Sequence, residues 1–184
     1  GHGMLFTTPE SLQENLPLSN PAGTLTITAD ARLDNRDELL SRLGLPALSL
    51  LVSDSALILT AYERWGEACV DRLLGDFAFA IHDAGEGKLF CARDHFGMKP
   101  LYYAYQPGKL FAFASEIKAL WGLPEIPKRL NESRLANYLA ARYEDAEETF
   151  YQGILRLPAG HTLTVKPDRL TSQAYYTVSP GTDP

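Results

Sequence analysis

Cysteine is scarce in this 184-residue sequence, and the two that occur, Cys69 and Cys91, limit how the chain can be stabilised. Two thiols are too few for a disulfide framework, and their spacing matches no metal-ligand pattern. We therefore predict no metal site, and we interpret both cysteines as small buried hydrophobic residues. An acidic sequence with so little cysteine is typical of a cytoplasmic protein.

Long apolar runs and an excess of positive charge are absent as well. No stretch approaches the roughly 20 apolar residues that a membrane-spanning helix requires, and we expect no signal peptide. The formal net charge is −6, whereas nucleic acids and anionic membranes are bound by basic surfaces. We therefore expect neither a nucleic acid nor a membrane as a partner.

A glycine-rich loop that would cradle phosphate is also missing. Gly85 and Gly87 lie in a predicted hairpin turn, whereas a phosphate-binding loop joins a strand to a helix. We therefore expect no cofactor in this chain, and no binding of ATP or magnesium above background.

With 45% hydrophobic and 22% charged residues, the sequence suits one globular core.

The centre of the sequence carries the strongest strand signals. Large and small side chains alternate from Phe77 to Ile81, which predicts a core strand with one bulky face and one small face. A glycine-containing turn then predicts a hairpin with a second strand at 89–91. A second hairpin is predicted from strands at 101–105 and 110–114. We expect these four consecutive strands to form one antiparallel sheet.

Helix signals flank these strands. The segments Asp34–Asn35 and Ser53–Ser55 have the composition of N-caps, and Gly44 and Gly66 that of helix stops. Helices are predicted over 36–43, 54–65, 68–74, 116–121 and 132–141, the last with Leu135 and Leu139 facing inward. Further strands are predicted at 24–31, 161–165 and 173–177. This order favours an α+β fold, a sandwich of stacked antiparallel sheets with helices on its outer faces.

An ordered set of short segments is more specific than this periodicity. The segments are LGDFAFA at 74–80, RD at 93–94, FGMKPLYY at 96–103 and FASEIKAL at 113–120. Together they resemble the N-terminal glutaminase domain of glutamine-dependent asparagine synthetases, which is a class II glutamine amidotransferase. The resemblance implies an N-terminal-nucleophile-hydrolase αββα sandwich over residues 1–178 that lacks its N-terminal start. It also implies a linker at 179–184 toward a C-terminal synthetase domain, the partner that would bind ATP and magnesium.

The nucleophile of that family is not found in this chain. In the family, a cysteine at the mature N-terminus attacks the glutamine amide, with its own α-amine as the base. This chain begins with Gly1, and neither Cys69 in a predicted helix nor Cys91 in a predicted strand can lie at a terminus. We therefore assign no catalytic residue here.

The resemblance also marks the positions of a glutamine pocket, and most of them are substituted. Met4 stands where the family has the arginine that holds the substrate carboxylate. Asp30, Ala31 and Arg32 stand where it has Asn-Gly-Glu, so an acid replaces the oxyanion donor and a cation replaces a partner of the substrate amine. Only Asp54 is retained, and a helix N-cap would explain that aspartate equally well.

Two hypotheses remain open. The chain is either the glutaminase domain of an asparagine synthetase, or a pseudo-glutaminase that scaffolds an amide-forming enzyme such as a lasso-peptide cyclase or a β-lactam synthetase. If the family's first strands are missing, we expect a homo-oligomer that pairs free sheet edges or covers the apolar face of Phe77–Ile81. We interpret Arg93, Asp94 and His95 as a buried or interfacial salt-bridge corner and not as a catalytic pair. Lys99 is interpreted either as solvated or as facing the missing domain.

Overall fold

The computed structural model describes Leu12 and residues 14–46, 52–142 and 146–178. Its strands are β1 (Leu18–Ser19), β2 (Leu25–Leu33), β3 (Gly75–Asp83), β4 (Lys88–Arg93), β5 (Tyr102–Gln106), β6 (Leu110–Ala114), β7 (Leu155–Arg156), β8 (His161–Lys166) and β9 (Arg169–Ala174). Its helices are α1 (Arg36–Leu43), α2 (Asp54–Trp65), a 3₁₀ helix (Gly66–Arg72), α3 (Ile117–Leu120) and α4 (Glu132–Leu139). Within the described part of the chain, no helix is long and apolar enough to cross a membrane.

The strands form two antiparallel sheets. One has six strands in the order β1-β2-β3-β4-β8-β9, and the other has three in the order β6-β5-β7. Both predicted hairpins form, but they lie in different sheets, so the expectation of one four-stranded sheet was wrong. The reason is the corner between β4 and β5, where the backbone N–H groups of three residues bond to the Asp94 carboxylate and turn the chain toward the second sheet.

The bulky face of the six-stranded sheet is covered by helices of the same chain. Phe77, Phe79 and Ile81 are at most 1% exposed, and they pack in one cluster with Leu57 and Ile58 of α2. The alternation correctly predicted this face. The expectation that a second copy of the chain covers it was wrong, because α2 already does so.

The small face of the same sheet packs against the second sheet. Ala78, Ala80 and Cys91 lie in one buried cluster with Tyr103 of β5 and Leu163 of β8. Small side chains let the two sheets approach closely, as the sequence predicted. The outer face of the three-stranded sheet is covered in turn by a third cluster, formed by Leu120, Ile126 and Ile154 with Ala104. The layers are therefore helix, sheet, sheet and helix.

Helix α4 departs from its prediction. Asn131 caps it as expected, accepting from the backbone N–H of Arg134 at 3.1 Å. Leu135 and Leu139, however, are 38% and 76% exposed, so the expected inward face is wrong. The side chains that fill the outer face of the small sheet come from α3 and from loops, whereas α4 contacts the loop residue Phe150 through Tyr138.

Two predicted helix caps turned out differently in the structure. Ser53 caps α2 by accepting from the backbone N–H of Ala56 at 3.3 Å, as predicted. Asn35 does not cap α1, because its side chain bonds elsewhere. Its amide donates to the carbonyl of Arg72 at 2.9 Å and accepts from the N–H of Leu74 at 3.0 Å. Asn35 therefore ties the end of β2 to the beginning of β3.

The last strand lies earlier than predicted. A strand was expected at 173–177, whereas β9 begins at Arg169, directly after a tight turn.

Candidate functional site

The C-terminal half of β2 carries three of the five residues that the sequence placed in a glutamine pocket. Asp30 lies opposite Ala78 of β3, and Ala78 lies opposite Arg93 of β4. The three positions form a row on the face of the sheet that looks toward the second sheet. Met4 lies outside the described residues.

Asp30 forms an ion pair with Lys99. The Lys99 ammonium nitrogen lies 2.8 Å from the Asp30 carboxylate, and the two side chains are 21% and 35% exposed. Lys99 follows the corner between β4 and β5, which brings it back over β2. The interpretation of Lys99 as a solvated side chain was therefore wrong, and its orientation toward another domain stays a prediction. The sequence contained one signal for this ion pair. Asp30 lies on the inner face of a predicted strand, and an acid in that position needs a cation within reach.

Arg32 and Ala31 point to opposite sides of β2. The Arg32 guanidinium is about half exposed and lies 3.0 Å from the Asp34 carboxylate and 3.9 Å from that of Asp76. Ala31 packs against the cluster beneath the helices. Arg32 is thus held at the surface by two acids of neighbouring strand ends.

Asp54 is the fourth predicted pocket residue that the structure describes, and it lies on the helix side of the sheet. Its carboxylate is buried, forms an ion pair with Arg36, and accepts from the backbone N–H of Leu33 at 3.2 Å. The Arg36 guanidinium also donates to the carbonyl of Val52. The N-cap explanation of Asp54 was wrong, because Ser53 caps the helix. Asp54 instead joins α1, α2 and the end of β2.

The corner beside Lys99 is held by two buried side chains. Arg93 donates to the carbonyls of Lys99, Leu157 and Gly97 at 2.7, 2.7 and 2.5 Å. Asp94 accepts from the backbone N–H groups of Phe96, Met98 and Lys99 at 3.1, 2.9 and 2.9 Å. The corner is buried as predicted. Each charged side chain, however, bonds to the main chain, so the expected salt bridge between the two was wrong.

Comparison with known sequences decides the family. The sequence profile of the glutamine amidotransferase domain matches residues 4–176, nearly the whole chain. The chain belongs to this class II glutamine amidotransferase family. The segments from 74–80 to 113–120 had predicted that membership.

The relatives of this amidotransferase domain include asparagine synthetases. Asparagine synthetase (glutamine-hydrolyzing) 3 of Bacillus subtilis (strain 168) is 34% identical over 157 residues, covering 84% of this chain and 25% of the relative. A putative asparagine synthetase (glutamine-hydrolyzing) of Mycobacterium bovis is 38% identical over 141 residues, covering 75% of this chain and 21% of that relative. The chain thus spans a quarter or less of the length of these relatives.

The fold of the amidotransferase domain is confirmed by a solved structure. Glutamine phosphoribosylpyrophosphate amidotransferase of B. subtilis, complexed with ADP and GMP, matches with a TM-score of 0.55 and 19% identity. The match covers 88% of this chain and 32% of that chain. At this identity the likeness supports the fold alone, and it agrees with the predicted αββα sandwich.

Each charged residue that the sequence placed in a glutamine pocket, and that the structure describes, is paired with a residue outside that set. Asp30 is paired with Lys99, Arg32 with Asp34 and Asp76, and Asp54 with Arg36. A carboxylate at position 30 accepts hydrogen bonds and cannot donate one. Within the described ranges, no group of three or more His, Cys, Asp or Glu residues is arranged to hold a metal ion.

Both thiols are unsuited to nucleophilic chemistry where they lie. Cys69 and Cys91 are fully buried, as predicted. Burial raises the pKa of the Cys69 thiol to about 12, and burial raises the pKa of Cys91 as well. A thiol with so high a pKa stays protonated at neutral pH, and the thiolate is the nucleophilic form.

Proposed function

We propose that this chain is the amidotransferase-type domain of a larger, asparagine synthetase-like protein that forms an amide with ATP. We propose further that the domain acts there as a scaffold and does not hydrolyse glutamine. The first part is supported by relatives named asparagine synthetases, of which the chain covers 25% and 21%. ATP and magnesium would bind in the remainder of that protein, which we expect to be cytoplasmic.

The ion pair between Asp30 and Lys99 carries the second part of the proposal. In the resemblance drawn above, position 30 supplies the hydrogen-bond donor for the oxyanion. A carboxylate there only accepts hydrogen bonds and cannot donate one to the negative charge that develops when a thiolate attacks an amide. The Lys99 ammonium neutralises that carboxylate and is itself engaged in the ion pair. A glutamine substrate would therefore enter a pocket whose charges are already compensated by other residues of the chain.

A hydrolytic domain is the second candidate function. It is favoured by the relatives, whose names include glutamine hydrolysis, and by the retained Asp54. In this structure, however, Asp54 is buried and paired with Arg36, which leaves its charge compensated without a substrate amine. The two candidates differ in one cheap observation, the identity of the mature N-terminal residue of the full-length protein. A cysteine keeps hydrolysis possible, and any other residue ends it.

The decisive experiment measures nitrogen use by the full-length protein. Purified protein is incubated with ATP, magnesium and glutamine, and the release of glutamate and ammonia is followed, with the B. subtilis relative assayed in parallel as the positive control. We expect glutamate release at the buffer rate from this protein. A Lys99→Met/Asp30→Asn double variant tests the pocket, since it removes the ion pair without adding a nucleophile, and it should stay inactive. Glutamate release by the unmodified protein would overturn the scaffold function.

A further inference from the structure

A cleft opens between the two sheets at the end where three hairpins turn. Its volume is about 450 Å³, within the range of roughly 300–1,000 Å³ that small-molecule sites occupy. It is lined by both sheets and by the turns β3–β4, β5–β6 and β8–β9. One lining residue, His82, lies four residues along β3 from Ala78, the residue opposite Asp30. The cleft is therefore about 13 Å along the sheet from the predicted glutamine pocket.

The floor of the cleft is apolar. Leu89 of β4 lies directly opposite Val165 of β8, and Tyr105 of β5 lies opposite Phe111 of β6. All four side chains belong to the cluster between the sheets. Leu89, Tyr105 and Phe111 are nevertheless only half-buried, so the core between the sheets is open at this end. An apolar ligand that covers these side chains removes their surface from water, which favours binding.

The rim of the cleft carries positive charge. Lys88, Lys109 and Lys166 lie at the three turns, and among the described residues no Asp or Glu lines the cleft. The Lys88 ammonium lies 2.7 Å from the Glu67 carboxylate and is therefore compensated. Lys109 and Lys166 form no ion pair with any residue that the structure describes. A cleft lined by charge of one sign attracts ions of the opposite sign, even in a chain whose net charge is −6.

We propose that this cleft binds an amphipathic organic anion, an apolar chain that ends in a carboxylate or a phosphate monoester. The apolar chain lies on the floor between Leu89 and Phe111, and the anionic group lies at Lys109 and Lys166. The acids of the same turns, Glu86 and Asp168, are outside the lining. A nucleotide suits the cleft poorly, because its polar ribose separates the base from the phosphates and leaves no continuous apolar chain. The site goes beyond the proposed function and does not depend on it.

The first test is calorimetric titration of the full-length protein with octanoate at pH 7, at concentrations below micelle formation. Octanoate should bind at least tenfold more tightly than butyrate, because each buried methylene adds about a factor of four. It should also bind at least fivefold more tightly than octan-1-ol, which lacks the charge. Octyl phosphate is titrated in parallel, and the tighter of the two anions identifies the head group. Affinity that does not change with chain length or with charge would overturn the proposal.

A pair of double variants tests the two lysines. Lys109→Gln/Lys166→Gln should bind octanoate about fivefold more weakly, since exposed ion pairs each contribute modestly. The matched control is Lys118→Gln/Lys128→Gln, which removes the same charge away from the cleft. Lys118 pairs with Glu116 beside α3, and Lys128 lies over the Trp121 ring. Equal affinities of the two double variants would show that the rim lysines do not hold the anionic group.

Hydrogen exchange locates the ligand without any substitution. Octanoate should slow amide exchange in the segments 86–91 and 105–111 of the full-length protein, and it should leave 28–33 unchanged. The first two segments line the cleft, whereas the third carries Asp30. Protection at 28–33 alone, or at none of the three segments, would refute binding between the hairpin turns.

Discussion

Replacing Asp94 with asparagine tests what holds the corner between β4 and β5. Asp94 is 1% exposed, and its two carboxylate oxygens accept three backbone N–H groups. Asparagine has the same shape but only one acceptor oxygen. However the amide is turned, its NH₂ group must face at least one backbone N–H, which then loses its acceptor.

The magnitude follows from those three bonds. A hydrogen bond to a charged group contributes about 1.5–3 kcal/mol and a neutral one about 0.5–1.5 kcal/mol. Asp94→Asn loses one charged bond and converts the other two to neutral bonds, a loss of about 4 kcal/mol. Burying a neutral amide in place of a carboxylate recovers on the order of 1–2 kcal/mol. We therefore expect the free energy of unfolding to fall by about 2–3 kcal/mol.

The assay is urea unfolding of the chain at pH 7, with linear extrapolation to water. Asp76→Asn is the matched control, because Asp76 is 36% exposed and lies 3.9 Å from Arg32, a surface pair that contributes below about 0.5 kcal/mol. Amide hydrogen exchange at Met98 should accelerate in Asp94→Asn and not in Asp76→Asn. A loss below about 1 kcal/mol for Asp94→Asn would refute the view that its carboxylate holds the corner.

Three further predictions follow from burial, charge and sheet edges. The unfolded chain releases the Cys69 proton above its ordinary pKa of 9.0 while the folded chain keeps it up to a pKa of about 12, so stability should fall as pH rises through this window. At pH 10 the loss is on the order of 1 kcal/mol, and urea titrations of the original chain and a Cys69→Ala variant should reveal it as a smaller pH slope in the variant. ATP with magnesium should leave the melting temperature of the chain unchanged, and a clear rise would contradict the absence of a nucleotide site. The long outer strand β9 leaves us expecting a dimer or larger assembly through sheet edges, and a monomer with a cooperative melt in concentrated sedimentation runs would disprove it.

Local patterns predicted the elements well because the interactions that form them are local. Alternation at Phe77–Ile81, the helix stop at Gly44 and the cap at Ser53 each depend on neighbours within a few residues, and each is found in the structure. By contrast, the sheet that a hairpin joins is not determined by its neighbours in the sequence. It depends on the corner at Asp94, and the periodicity of the sequence does not indicate the three hydrogen bonds that hold this corner. Amphipathicity likewise identified the apolar face of α4, but it could not say whether another element would cover Leu139.

The pocket residues show the same limit more sharply. The sequence placed Asp30 on a strand at 24–31 and Asp54 at the start of a helix, and both positions were correct, whereas the strand runs on to Leu33 and so includes Arg32 as well. It did not supply their partners. Lys99 and Arg36 are distant in sequence from the acids that they neutralise, and only the packing of the corner and of α1 brings them together. A single sequence therefore does not reveal which charged residues of a site will pair across the fold.

The ion pair between Asp30 and Lys99 also constrains how the sequence can change over time. Replacing either residue alone leaves a partly buried charge without its partner, so both single-step intermediates are less stable than the starting protein. A neutral pocket at position 30 is reached without that penalty only when both codons change together. Lineages that carry the pair will therefore tend to keep both residues or to lose both.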